Sequence, residues 1–140
     1  MRTIKFRGKR LDSGEWVYGD IEMFRYEAYI TLEAYKDDGH YFGECIVRPE
    51  TVGQFTGLHD KNSKEIYEGD IIRSTRNGFG GVVMWHKRGY FYIRENIFED
   101  DPDYNGDYAN LGYMLENHPY FEVVGNISDN TPERLKGGEQ

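Results

Sequence analysis

Short runs in which apolar and polar residues alternate one by one, closed by glycine, proline, asparagine or aspartate, recur along the chain. This two-residue period constrains the fold more than any other feature. Successive side chains of a β-strand point to opposite faces, whereas a helix needs apolar residues every three to four positions. In the first run, Thr3 to Gly8, Ile4 and Phe6 oppose Lys5 and Arg7. Asp12 to Glu15 reads as a turn, with Gly14 supplying the left-handed dihedral. Trp16 to Met23 should return antiparallel, because so short a connection allows no crossover. Tyr26 to Leu32 and Tyr41 to Val47 alternate again around a hairpin turn at Lys36 to Gly39. Pro49 then interrupts pairing, since it has no amide hydrogen to donate.

Beyond Pro49 the chain runs Thr51 to Thr56, turns at Asp60 to Ser63 and enters Glu65 to Arg73, where Gly69-Asp70 is expected to make a bulge or tight bend. Asn77-Gly78 marks another turn. Gly81 to Trp85 and Tyr90 to Arg94 form a hairpin closed by His86 to Gly89, and Tyr120 to Ile127 is a last strand. Only Asp107 to Asn117 has helical spacing. Tyr108, Leu111, Met114 and Leu115 share one side there, with Asp107 placed to cap the start. Thr131 to Leu135 carries the signals of one more capped turn, with Pro132 at its first position. Aromatic residues make up 16% of the chain, which suits a pleated surface. The reading is a mainly-β protein of antiparallel sheets forming a small barrel or sandwich, with an SH3-like barrel over 65–127 and one or two short helices. Residues 1–135 are expected as a single domain with two lobes, 1–47 and 51–127, followed by a disordered tail at 136–140.

At 140 residues the chain can bury a core without a disulfide or a metal. Its one cysteine, Cys45, reads as a small buried strand residue, consistent with a reducing compartment. No segment approaches the roughly 20 apolar residues of a membrane span, and the N-terminus lacks a signal-peptide core. A cytoplasmic location is therefore expected. The net charge of −8 argues against broad adhesion to nucleic acid. It is unevenly spread. Residues 1–10 hold five basic side chains and no acid, while residues 95–107 hold six acids and no base. Such blocks face each other or face different partners.

Three groups of blocks resemble a known family. They are Ile4-Lys-Phe-Arg-Gly-Lys9 with Gly14-Glu-Trp-Val-Tyr-Gly19; Thr51-Val-Gly-Gln-Phe-Thr-Gly-Leu58 with Asp60-Lys and Lys64-Glu-Ile-Tyr-Glu-Gly-Asp-Ile71; and Phe121-Glu-Val-Val-Gly-Asn-Ile127. In this order they are similar to the YopX family, small proteins encoded by phages and prophages of Gram-positive bacteria. Residues 74–118 match less well. The resemblance implies a phage or prophage origin and a mainly-β fold, and it carries over no catalytic residues. Read physically, Gly8, Gly14, Gly19, Gly53, Gly57, Gly69 and Gly125 are placed at turns or bulges, and Ile4, Phe6, Val17, Phe55, Ile66, Ile71, Val123 and Ile127 in the core.

Several features invite a chemical role. Asp101-Pro-Asp-Tyr-Asn-Gly-Asp107 reproduces the opening of a calcium loop, with Asp101, Asp103, Asn105 and Asp107 as its ligands. The loop's usual closing glutamate falls on Gly112, which favours a solvated acidic loop. His40, His59, His86 and His118 show no metal-binding spacing. His59-Asp60 has no accompanying nucleophile, so Asp60 reads as opening the following turn. Gly78-Phe-Gly-Gly81 enters a strand and not the helix a phosphate loop requires. Lys5, Arg7 and Lys9 with Trp16 and Tyr18 have the charge and stacking surface for single-stranded nucleic acid, against cross-strand pairing with Asp20 and Glu22. Tyr26, Tyr29, Tyr35, Tyr41, Tyr104 and Tyr108 exceed the needs of a core and suit a protein interface. The expected function is a non-enzymatic protein-binding module without a cofactor. Its partner would be a host or phage protein, or a second copy of the chain, ahead of nucleic acid and with no membrane. The alternatives are nucleic-acid binding through the basic strand face, or acidic mimicry of nucleic acid by residues 95–107.

Overall fold

The computed structural model describes residues 3–32, 43–95 and 109–129. The turn expected at Lys36 to Gly39, the capped turn at Thr131 to Leu135 and the tail lie outside them. The chain divides into two compact units, Met1–Gly57 and Leu58–Gln140.

In the first unit, β1 (Phe6–Lys9), β2 (Trp16–Phe24), β3 (Glu27–Leu32), β4 (Gly43–Val47) and β5 (Gly53–His59) pair in the order β4-β3-β2-β1-β5. The pairings are antiparallel. The two-residue period decides which side each residue takes. Ala28, Ile30 and Val47 are buried on one face, with Phe6, Val17, Ile21, Leu32 and Val52 packed on them. Cys45 is also buried. A single 3₁₀ turn, Pro49–Thr51, leads from β4 to β5. It is tied back to β1: the Arg48 amide donates to the Lys9 carbonyl at 2.8 Å, and the Lys9 amide to the Thr51 hydroxyl at 2.9 Å. Gly8 is not at a turn. It lies inside β1, where a Cβ would sit 2.9 Å from Cγ2 of Val47, so the glycine is there to let the two strands' contents close up.

The second unit takes the end of β5, turns at Asp60 and continues through β6 (Glu65–Tyr67), β7 (Asp70–Ser74), β8 (Gly80–His86), β9 (Tyr90–Arg94), β10 (Ala109–Asn110), α1 (Leu111–Asn117) and β11 (Phe121–Asn126). The run 65–73 is broken in two by Gly69, at φ +95°. The β8–β9 hairpin pairs Val82 with Arg94 through to His86 with Tyr90, as its alternation requires. Five strands form an antiparallel sheet in the order β10-β9-β8-β7-β11, bulged between Val123 and Gly125. Ile66, Ile72, Val83, Ile93, Leu111 and Phe121 are its core.

The protein is thus mainly β, with two antiparallel sheets and one short helix among the described residues. The closed SH3-like barrel expected over 65–127 is not formed by them. The strand order ends at β10 and β11. β10 is two residues long, and α1 seals the core with Leu111 instead of a closing strand. The helix also starts later than Asp107. Asn110 caps it, its Oδ1 accepting from the Tyr113 amide at 3.0 Å, because a capping side chain must precede the first helical residue directly.

Candidate functional site

Strand register in the first unit gathers the side chains of interest onto the face opposite the core. Arg7 stands across from Tyr18 and Lys9 from Trp16. The guanidinium of Arg7 lies 4.5 Å from the centre of the Trp16 ring and the ammonium of Lys9 5.6 Å from it. Lys5 lies 5.3 Å over Phe55. Stacks of this kind form because a ring's negative face attracts a cation and the aliphatic stem covers apolar surface. Arg7 is buried and Tyr18 exposed. The five residues considered for nucleic acid are therefore together, but the Trp16 ring already carries two cations. Across β3, Asp20 and Glu22 stand opposite Thr31 and Tyr29. Arg10 is engaged elsewhere, its Nε and Nη2 donating to Asp12 at 3.0 and 2.9 Å.

Further along the same face the charge reverses. Rows of paired residues bring Asp20, Thr31 and Glu44 side by side, then Glu22, Tyr29 and Ile46, then Phe24 and Glu27. The Tyr29 hydroxyl donates to Glu27 at 2.8 Å. That bond first, then burial and the charges of Glu27, Glu44 and Glu22, holds the phenol above its ordinary value. The β2–β3 turn ends the face, with Arg25 at φ +57°. At this tip Met23, Phe24 and Tyr26 are 58%, 60% and 92% exposed.

The second unit holds a feature that no sequence pattern announced. An open cleft of about 410 Å³ is floored by Phe79, Met114 and Phe121 and rimmed by Arg76, His118 and Tyr120. Phe79 meets Phe121 edge-on with ring centres 6.2 Å apart. Arg76 donates to the Tyr120 hydroxyl at 3.0 Å. These residues come from two stretches about forty positions apart, so only the pairing of β7 with β11 brings them together.

Asp60 has a purely structural task. One carboxylate oxygen accepts the amides of Asn62 and Lys64 at 2.7 and 2.9 Å, and the other accepts the Val123 amide at 2.9 Å. His86 closes the β8–β9 turn, its Nδ1 accepting the Arg88 amide at 3.0 Å while its ring stacks on Tyr90. Among the described residues, no three His, Cys, Asp or Glu side chains are grouped to hold a metal. Asp101, Asp103, Asn105 and Asp107 lie outside the described residues, as do Tyr35, Tyr41, Tyr104, Tyr108 and His40. No described helix is long and apolar enough to cross a membrane.

A protein of two antiparallel sheets carrying a mixed aromatic and charged face, with one short helix, is the class these observations define. The model of the family described as YopX protein matches residues 5–136. The chain belongs to the YopX family. The crystal structure of protein EF1440 from Enterococcus faecalis is similar in fold, with a TM-score of 0.51 at 21% identity, covering 96% of this chain and 99% of that one. No curated protein matches the chain.

Proposed function

We propose that this chain is a non-enzymatic protein-binding module of phage or prophage origin, acting in the bacterial cytoplasm. It would bind a basic protein partner through the outer face of β2, β3 and β4. The exposure of Phe24 and Tyr26 at one hairpin tip carries the reading. Aromatic anchors give contact area at little entropic cost. The carboxylates of Asp20, Glu22, Glu27 and Glu44 on the adjoining face suit a cationic partner, steering its approach. The family resemblance supports the phage origin. Nucleic acid is the second reading, because Lys5, Arg7, Lys9, Trp16 and Tyr18 share a face. A base seeking Trp16 would have to displace Arg7 and Lys9, which weighs against it.

A photo-cross-linking residue placed at Phe24 or Tyr26 in cells tests the proposal, with the exposed Lys87 as control. Both tip positions should capture the same protein and the control should not. Glu22→Lys with Glu44→Lys should weaken that complex at least about tenfold, or roughly 1.4 kcal/mol. Equal capture from all three positions would remove the tip as an interface. Binding of labelled single-stranded DNA that is lost in Lys5→Glu with Lys9→Glu would move the reading to nucleic acid.

A further inference from the structure

The cleft of the second unit points to a different kind of ligand, independent of the interface above. Its volume of about 410 Å³ falls in the range of small-ligand pockets, roughly 300–1,000 Å³. The floor is largely apolar, Phe79 and Met114 lying half-buried along it with Phe79 set edge-on to the buried ring of Phe121 beneath. An aromatic body laid there would displace water from surface that water solvates poorly.

The rim supplies one fixed cation. Arg76 is held by a hydrogen bond from Nη1 to the Tyr120 hydroxyl, with its guanidinium 5.1 Å from the centre of that ring. Among the described residues no carboxylate pairs with it. A guanidinium has five N–H donors; one is spent on Tyr120, and the remainder can meet an anion, for which the planar fork is well matched. His118 adds a second polar group on the same rim.

The turn bearing Arg76 is rigid before any ligand arrives. The Ser74 hydroxyl accepts the amides of Arg76 and Asn77 at 3.2 and 3.4 Å. Asn77 Oδ1 accepts the Phe79 amide at 2.9 Å, and the Thr75 amide and hydroxyl both donate to the Tyr120 carbonyl. The backbone that carries Arg76 and Phe79 is therefore tied down, which lowers the ordering cost at binding.

We infer that this cleft binds a small aromatic carboxylate, its ring on Phe79 and Met114 and its carboxylate on Arg76. Titration of the full chain with phenylacetate, followed by amide chemical shifts, tests this. The neutral phenylacetamide and inorganic phosphate are the comparison probes. Phenylacetate should give saturable shifts at residues 76–79 and 118–121, with phenylacetamide at least about tenfold weaker and phosphate giving none there. Arg76→Gln should erase the preference for acid over amide and Arg76→Lys should keep part of it, while shifts of both variants elsewhere stay as in the parent. The inference is overturned by any of three results: no saturable shift with phenylacetate up to about 10 mM, beyond the weak end of small-ligand affinity; an amide that binds as well as the acid; or phosphate that shifts the same residues.

Discussion

Burial drives the Asp60 carboxyl upward, yet hydrogen bonds from the amides of Val123, Lys64 and Asn62 outweigh it and hold the group below its ordinary value. A group whose folded value is depressed stabilises the fold above the unfolded value, near 3.9, and loses that contribution as pH falls through the lower folded value. Asp60→Asn keeps the shape but substitutes an NH₂ for one oxygen, so it cannot accept all three amides. It should cost about 1–3 kcal/mol at neutral pH. It should also flatten the decline of stability from pH 5 downward, as measured by urea unfolding at several pH values. An unchanged midpoint at pH 7 would show that the three amides find water as readily. Gly8 teaches the complementary lesson that a residue's reason can be tertiary. Its alternation in the sequence marks a strand, but only Val47, 39 positions away, explains the missing side chain.

Elements whose information is local were legible in the chain. The β8–β9 hairpin follows from alternation on either side of Gly89, which adopts φ +96°, and β2, β3 and β11 lie within a residue or two of their expected ends. What failed was information carried by distant partners. The tight bend expected at Gly69-Asp70 is there, with Gly69 at φ +95°, but that β6 and β7 then take different neighbours was not readable from the run 65–73. The cleft was illegible because Arg76 and Tyr120 meet only through strand pairing. α1 marks the boundary between the two cases: its apolar side was evident, its start was not, since Asp107 and Asn110 are both chemically able to cap. With seven residues the helix is too short to persist on its own, so its cap and the burial of Leu111 must hold it. Asn110→Ala should therefore destabilise the protein by about 1 kcal/mol, whereas Asn110→Asp, which retains the accepting oxygen, should be close to neutral. Thermal unfolding of the two variants checks this, and equal losses in both would assign the role to Asn110's own amide group instead of the cap.

At the scale of the molecule the apolar interior is divided. Ala28, Ile30 and Val47 anchor one cluster and Ile66, Ile72, Val83, Ile93, Leu111 and Phe121 another, with no residue in common. Ile30 and Ile72 are fully buried in their respective clusters. Removing one methylene from either, as Ile30→Val or Ile72→Val, should cost about 0.5–1.5 kcal/mol. Side chains that share no packing partner lose stability independently, so the double variant should equal the sum of the singles within about 0.3–0.5 kcal/mol. The same cycle between Ile72 and Val83, both in the second cluster, should depart from additivity by more, because each relaxes into the space the other leaves. Chemical denaturation of the six proteins, with constant slopes confirming a common unfolded state, decides the matter. Strong coupling between Ile30 and Ile72 would overturn that independence.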